Sequence, residues 1–112
     1  MNDLSPQTSL LDTLAGFFAR ALGRTTFPLS ADFFAAGGDS LGAAEVLHQV
    51  DATYRIELRF RDILEAPTPL QLSLAILRAR ARAAGHDLAT ELATLSSEDT
   101  SRMLAYLQAT QT

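Results

Sequence analysis

The residues most able to do chemistry sit in one short stretch, "DFFAAGGDSLGAAEVLHQV", from Asp32 to Val50. A serine, Ser40, follows an acid, Asp39, and two glycines, Gly37 and Gly38. Leu41 comes next, beside an apolar stripe with helical spacing. Two chemistries fit this pattern. The Asp-Ser pair could cap a helix, its side-chain oxygens accepting hydrogen bonds from early backbone N–H groups. Alternatively, Ser40 could stand at a loop-to-helix junction with its hydroxyl displayed to another enzyme. On that reading the glycines clear the approach, and the helix N-terminus favours a phosphate beside the serine. A self-sufficient nucleophile is a poor fit. His48 lies about two turns along the same helix, and no triad is evident. From the residues alone, cap and displayed serine both stay open.

Several function classes are excluded by composition. The chain of 112 residues has no cysteine, so disulfides and thiolate metal sites are unavailable. Its two histidines, His48 and His86, are isolated and make no metal cluster. The net charge is −4 and every cation is an arginine, which argues against a nucleic-acid partner. No apolar run is long enough to span a membrane, and "MNDLSPQTSLL" lacks the basic and apolar regions of a signal peptide. The expected setting is the cytoplasm and the expected state a monomer. With 47% hydrophobic residues, one small core is within reach.

The elements that must position Ser40 are helical. Gln7 to Leu22 carry an apolar stripe of Leu11, Leu14, Ala15, Phe18 and Leu22, with Gly23 at the expected stop. A long connection follows, in which Phe27, Leu29, Phe33 and Phe34 can anchor the chain to the core. A second helix is predicted from Ser40 to about Tyr54, burying Ala43, Val46, Leu47, Val50 and Tyr54, with Leu41 and Ala44 beside that stripe. The Ile56–Leu58 alternation has no second strand to pair with, so an extended loop and a short helix from Phe60 to Glu65 are expected. Thr68 and Pro69 announce a last main helix, in which Leu70, Leu74, Leu77 and Ala81 face one way and which stops at Gly85. The fold class is all-α: a four-helix bundle of three main helices and one short one.

The loop, the serine and the downstream segment together resemble the acyl and peptidyl carrier domains of nonribosomal peptide and polyketide synthases. The resemblance runs from about Leu10 to Ala83 through "FFAAGGDSLGAAEVL" and "IELRFRDILEAPTPLQLSLAI", with "LEAPT" as the entry to the last helix. The glycine pair is closer to peptidyl carriers than to fatty-acid carriers. The resemblance implies that Ser40 receives 4′-phosphopantetheine from coenzyme A, through a separate Mg²⁺-dependent phosphopantetheinyl transferase. The arm's thiol would then hold an acyl or peptidyl chain as a thioester, received from an upstream loading or chain-transferring enzyme. The chain would thus be a carrier and not an enzyme. Gly38, Asp39 and Leu41 match the family's residues around the attachment serine, and Leu41 and Ala44 its partner-docking surface. Gly42 and Ala44 are smaller than usual there, Arg59 stands where the family often has Pro, and Leu64 where it often has Phe. A free-standing fatty-acid-type carrier and an unmodified helical adaptor are the alternatives.

The carrier domain is expected to span residues 1–85, and residues 86–112 a flexible tail. Four acids, Asp87, Glu91, Glu98 and Asp99, face only Arg102 there, so the tail holds most of the net negative charge. Ser96 and Asp99 resemble a capping box, and Met103, Leu104 and Leu107 give a narrow apolar face. The segment resembles short C-terminal motifs that dock on a β-hairpin domain, often that of a condensation enzyme. Leu104 and Leu107 would then contact the downstream enzyme in trans, the segment ordering on binding.

Overall fold

Most helices begin where a short polar side chain takes up a loose backbone N–H. In the computed structural model, which describes residues 9–110, Ser9 caps α1 (Leu10–Ala21), Asp39 caps α2 (Ser40–Tyr54) and Thr68 caps α4 (Pro69–Ala84). Asp87 caps α5 (Leu88–Leu92) and Ser96 caps α6 (Ser97–Ala109). The short α3 (Phe60–Glu65) is held differently: the Asp62 carboxylate reaches back to accept from the Arg59 N–H at 2.6 Å. The described residues contain no strand, and 56–59 form the expected connection without regular structure.

One apolar core joins these helices. Leu11, Leu14 and Phe18 of α1 meet Ala43, Val46 and Val50 of α2, Ile63 of α3, and Leu72, Ile76 and Leu77 of α4. Leu70, Leu74 and Ala81 are buried as their spacing predicts. Leu47 is only half-buried, so the buried face of α2 is turned slightly from the predicted stripe. The long connection is anchored by Phe27 and Phe33, with Leu29 and Phe34 half-buried against them. Two backbone bonds tie it to the start of α4: Phe33 N–H to Pro67 O at 2.8 Å, and Leu70 N–H to Leu29 O at 3.1 Å. These bonds let a loop of this length hold one conformation.

The all-helical architecture is as expected, but the flexible tail is not what the structure shows. α5 packs on α4, where Glu91 is buried and meets His86 Nε2 at 2.5 Å and Arg80 Nη1 at 3.8 Å. α6 buries Met103 and half-buries Tyr106 and Leu107. Its strongest attachment is polar. The fully buried Asp99 carboxylate accepts from the Ser9 hydroxyl at 2.7 Å, the Leu11 N–H at 3.2 Å and Arg102 Nη2 at 2.5 Å. Arg102 also reaches Asp12 at 3.1 Å. An acid read in sequence as half of a local capping box therefore caps a different helix about 90 positions away. That long-range pairing supplies what a short helix lacks in isolation. Gln7 and Thr8, the first residues of the predicted first helix, lie outside the described residues, as do 111 and 112.

Candidate functional site

The chain enters the Asp-Ser corner through a folded turn. Asp32 Oδ1 accepts from the N–H groups of Phe34 at 2.8 Å and Ala35 at 2.9 Å, an Asx-type closure. Gly37 N–H then donates to Phe34 O at 3.1 Å, and Gly38 N–H to Phe33 O at 2.9 Å. Gly37 adopts φ +110°, a region that L side chains rarely enter, and so lets the chain swing out to extended Asp39.

Gly38 is needed for a different reason. A Cβ at this position would lie 2.2 Å from the Phe33 ring, far inside van der Waals contact. At Gly42 a Cβ would lie 3.1 Å from the same ring. The sequence suggests that the glycines leave room for an enzyme outside; the structure shows that Gly38 leaves room for an aromatic ring inside.

Ser40 opens α2 and is exposed. The Asp39 carboxylate is committed to the helix, accepting from the Gly42 N–H at 2.9 Å, so capping and serine display coexist: the aspartate caps and the serine stands free of that bond. The first-turn N–H groups and the positive end of the α2 dipole favour a phosphate diester on the Ser40 oxygen. His48 is exposed further along α2, and the described residues hold no group of three or more potential metal ligands. The corner therefore offers a nucleophile without its own base, which suits an acceptor hydroxyl worked on by another protein.

Several apolar side chains stand exposed on α2 and α3. Leu41 is 79% exposed beside Ser40, and Ala44 is exposed one turn on. On α3, Phe60 is 40% and Leu64 51% exposed, and Phe60 meets Phe34 edge-to-face at 6.5 Å. The sequence reading places docking on Leu41, Ala44, Leu104 and Leu107 and does not include the exposed Phe60 and Leu64; the signal was their place in a helix too short to bury both faces. Leu104 and Leu107 belong to a different region. Their helix is fixed at the N-terminus of α1, whereas Phe33, beneath the Asp-Ser corner, packs on Phe18, seven residues further along α1. Leu104 is 50% exposed and Leu107 half-buried.

Residues 12–76, more than half of the chain, match the family described as "Phosphopantetheine attachment site". The chain is a member of that family of acyl and peptidyl carriers. The carrier's relatives include isonitrile lipopeptide synthase of Mycobacterium tuberculosis, 36% identical over 69 residues, 62% of this chain and 3% of that protein. They also include a probable non-canonical nonribosomal peptide synthetase of Salinispora arenicola, 35% identical over 78 residues, 70% of this chain and 1% of that protein. The carrier thus spans only a few per cent of these relatives. Its fold is similar to that of BlmI, a type-II acyl-carrier protein from Streptomyces verticillus involved in bleomycin biosynthesis. The two share 30% identity and a TM-score of 0.58, over 60% of this chain and 81% of that one. Carriers of this family hold 4′-phosphopantetheine and are not catalysts themselves. No described helix is long and apolar enough to cross a membrane.

Proposed function

We propose that Ser40 is the attachment residue and that this carrier shuttles an acyl or peptidyl thioester between enzymes of a cytosolic nonribosomal peptide or polyketide assembly line. The single observation that carries the site is the exposed hydroxyl at the first position of α2, inside the matched region, with Asp39 occupied by capping. In the reaction the Ser40 oxygen bonds to the coenzyme A phosphorus that bears pantetheine. The bond from that phosphorus to the diphosphate bridging oxygen breaks, and adenosine 3′,5′-bisphosphate leaves. The serine proton passes to a base of the transferase, since the corner supplies none. Once attached, the arm adds reach and a thiol to a chain that has no cysteine.

Leu41, Ala44, Phe60 and Leu64 form the proposed surface read by the transferase and by loading and condensing enzymes, because apolar side chains left in water at this density favour association. A downstream condensation-type enzyme is the proposed acceptor of the chain; the synthetase relatives support this reading. A docking role for α6 rests on the exposed Leu104 alone, with Leu107 already turned against the body. Incubation with coenzyme A and a promiscuous phosphopantetheinyl transferase, followed by intact mass, tests the attachment. One phosphopantetheine should be added to the wild type and none to Ser40→Ala. Equal modification of both would refute the site.

A further inference from the structure

Phe33 lies within contact range of both ends of the Asp-Ser corner. Its ring would lie 2.2, 2.4 and 2.7 Å from a Cβ on Gly38, and its tip 3.1 Å from one on Gly42. Asp39, Ser40 and Leu41 lie between these two glycines, so the backbone on either side of Ser40 is drawn down onto one ring. That ring has little freedom. It is fully buried, packs edge-to-face on Phe18 at 5.2 Å and Phe34 at 5.3 Å, and its backbone N–H is bound to Pro67 O. It cannot swing aside without opening the core. A methyl group at Gly38 would therefore push the Asp39–Ser40 backbone outward rather than move the ring. The Asp39–Gly42 cap, at 2.9 Å, would be strained with it.

We propose that Phe33 is a positioning residue for phosphopantetheine transfer, setting the height and direction of Ser40 through contact with Gly38 and Gly42. This inference rests on Ser40 being the attachment residue. In-line phosphoryl transfer is sensitive to where the attacking oxygen lies, and a displacement of about 1 Å can cost on the order of a hundredfold in rate. The ring thus acts on the reaction from inside the domain, with no contact to coenzyme A or to the transferase required of it.

The test measures kcat and KM for modification of the full chain by one transferase with coenzyme A, at a temperature where melts show every variant folded. Gly38→Ala should lower kcat by roughly tenfold or more with a smaller change in KM. Gly42→Ala, with its looser contact, should lower it less, and it keeps the test alive should Gly38→Ala fold poorly. Rescue is the decisive arm. Phe33→Leu removes the ring tip that a Gly42 methyl would meet but keeps the δ carbons that a Gly38 methyl would meet, so Phe33→Leu combined with Gly42→Ala should recover most of the lost rate. A merely destabilising pair of changes would be worse than either alone. Wild-type rates in both glycine variants would overturn the proposal. So would a loss in Gly42→Ala that Phe33→Leu leaves unrepaired, which would mean that the added methyl blocks the transferase from outside. Ser40→Ala, run alongside, separates the two claims. If it is still modified, the attachment reading itself fails; if it is inert while the glycine variants react normally, only the role of Phe33 fails.

Discussion

Replacing Asp99 by alanine should unfasten α6 and cost about 2–4 kcal/mol. The carboxylate is fully buried and takes hydrogen bonds from Ser9, the Leu11 N–H and Arg102. Bonds to a charged group each contribute about 1.5–3 kcal/mol net, and breaking a buried pair from one side typically costs about 3–5 kcal/mol. Two features lower the expected figure. Arg102 keeps Asp12 at 3.1 Å, and its side chain is 28% exposed, so the guanidinium is not stranded. Ser9 lies at the rim, where water can replace the lost acceptor. The Leu11 N–H is buried in the first turn of α1 and has no such recourse. Against a total stability of about 5–15 kcal/mol the loss is large, and it should move the urea midpoint down by more than about 1 M. Circular dichroism in urea reads the midpoint, and hydrogen exchange reads the amides of α6. In the wild type those amides should be protected, and in Asp99→Ala they should exchange much faster. An unchanged midpoint, or α6 amides that already exchange freely in the wild type, would refute the packed arrangement and restore a flexible tail.

Acid should act through the same group. Burial alone raises the Asp99 carboxyl, but the Ser9 hydroxyl, Arg102 and the Leu11 N–H together outweigh it and hold the group below its ordinary value. Its stabilising contribution is therefore fully present above about pH 4, the unfolded value, and is lost as pH falls through the lower folded one; melts of wild type and Asp99→Asn should converge at the acid end of the series. Leu14→Ala, at a fully buried position, should cost about 2–5 kcal/mol by denaturant titration, and the half-buried Leu47→Ala clearly less. Leu41→Ala should leave the melt within about 0.5 kcal/mol, because the side chain is 79% exposed, yet slow modification and chain transfer measured with partner enzymes.

Local signals in the sequence are strong enough to place the elements around Ser40. The Asp39–Ser40 start and the Val46–Val50 stripe mark α2, and Thr68–Pro69 marks α4, because caps and helical spacing act over three or four residues. The exposed seat of Ser40 is not written in its place at the start of a helix, since Leu10 and Pro69 hold the same place in α1 and α4 and are buried. What is not legible depends on partners distant in the chain. Asp99 looks like the companion of Ser96, since nothing near it announces Ser9 or Leu11. Arg55 closes α2 with φ +58°, a conformation usually signalled by glycine, so no stop is written there. Gly38 looks like an opening for an outside enzyme, since a pair of glycines gives no hint that a phenylalanine ring five residues earlier folds beneath one of them.

The central claim is that one serine carries the arm, and peptide mapping tests it most directly. After modification and cleavage at arginine, the fragment from Thr25 to Arg55 contains Ser40 together with Ser30, Thr25, Thr26 and Thr53 as internal controls. Fragmentation should place the whole of the phosphopantetheine on Ser40, with every other hydroxyl of the peptide unmodified. Modification at Ser30 or at a threonine, or a peptide left without added mass when the intact protein carries it, would contradict the assignment.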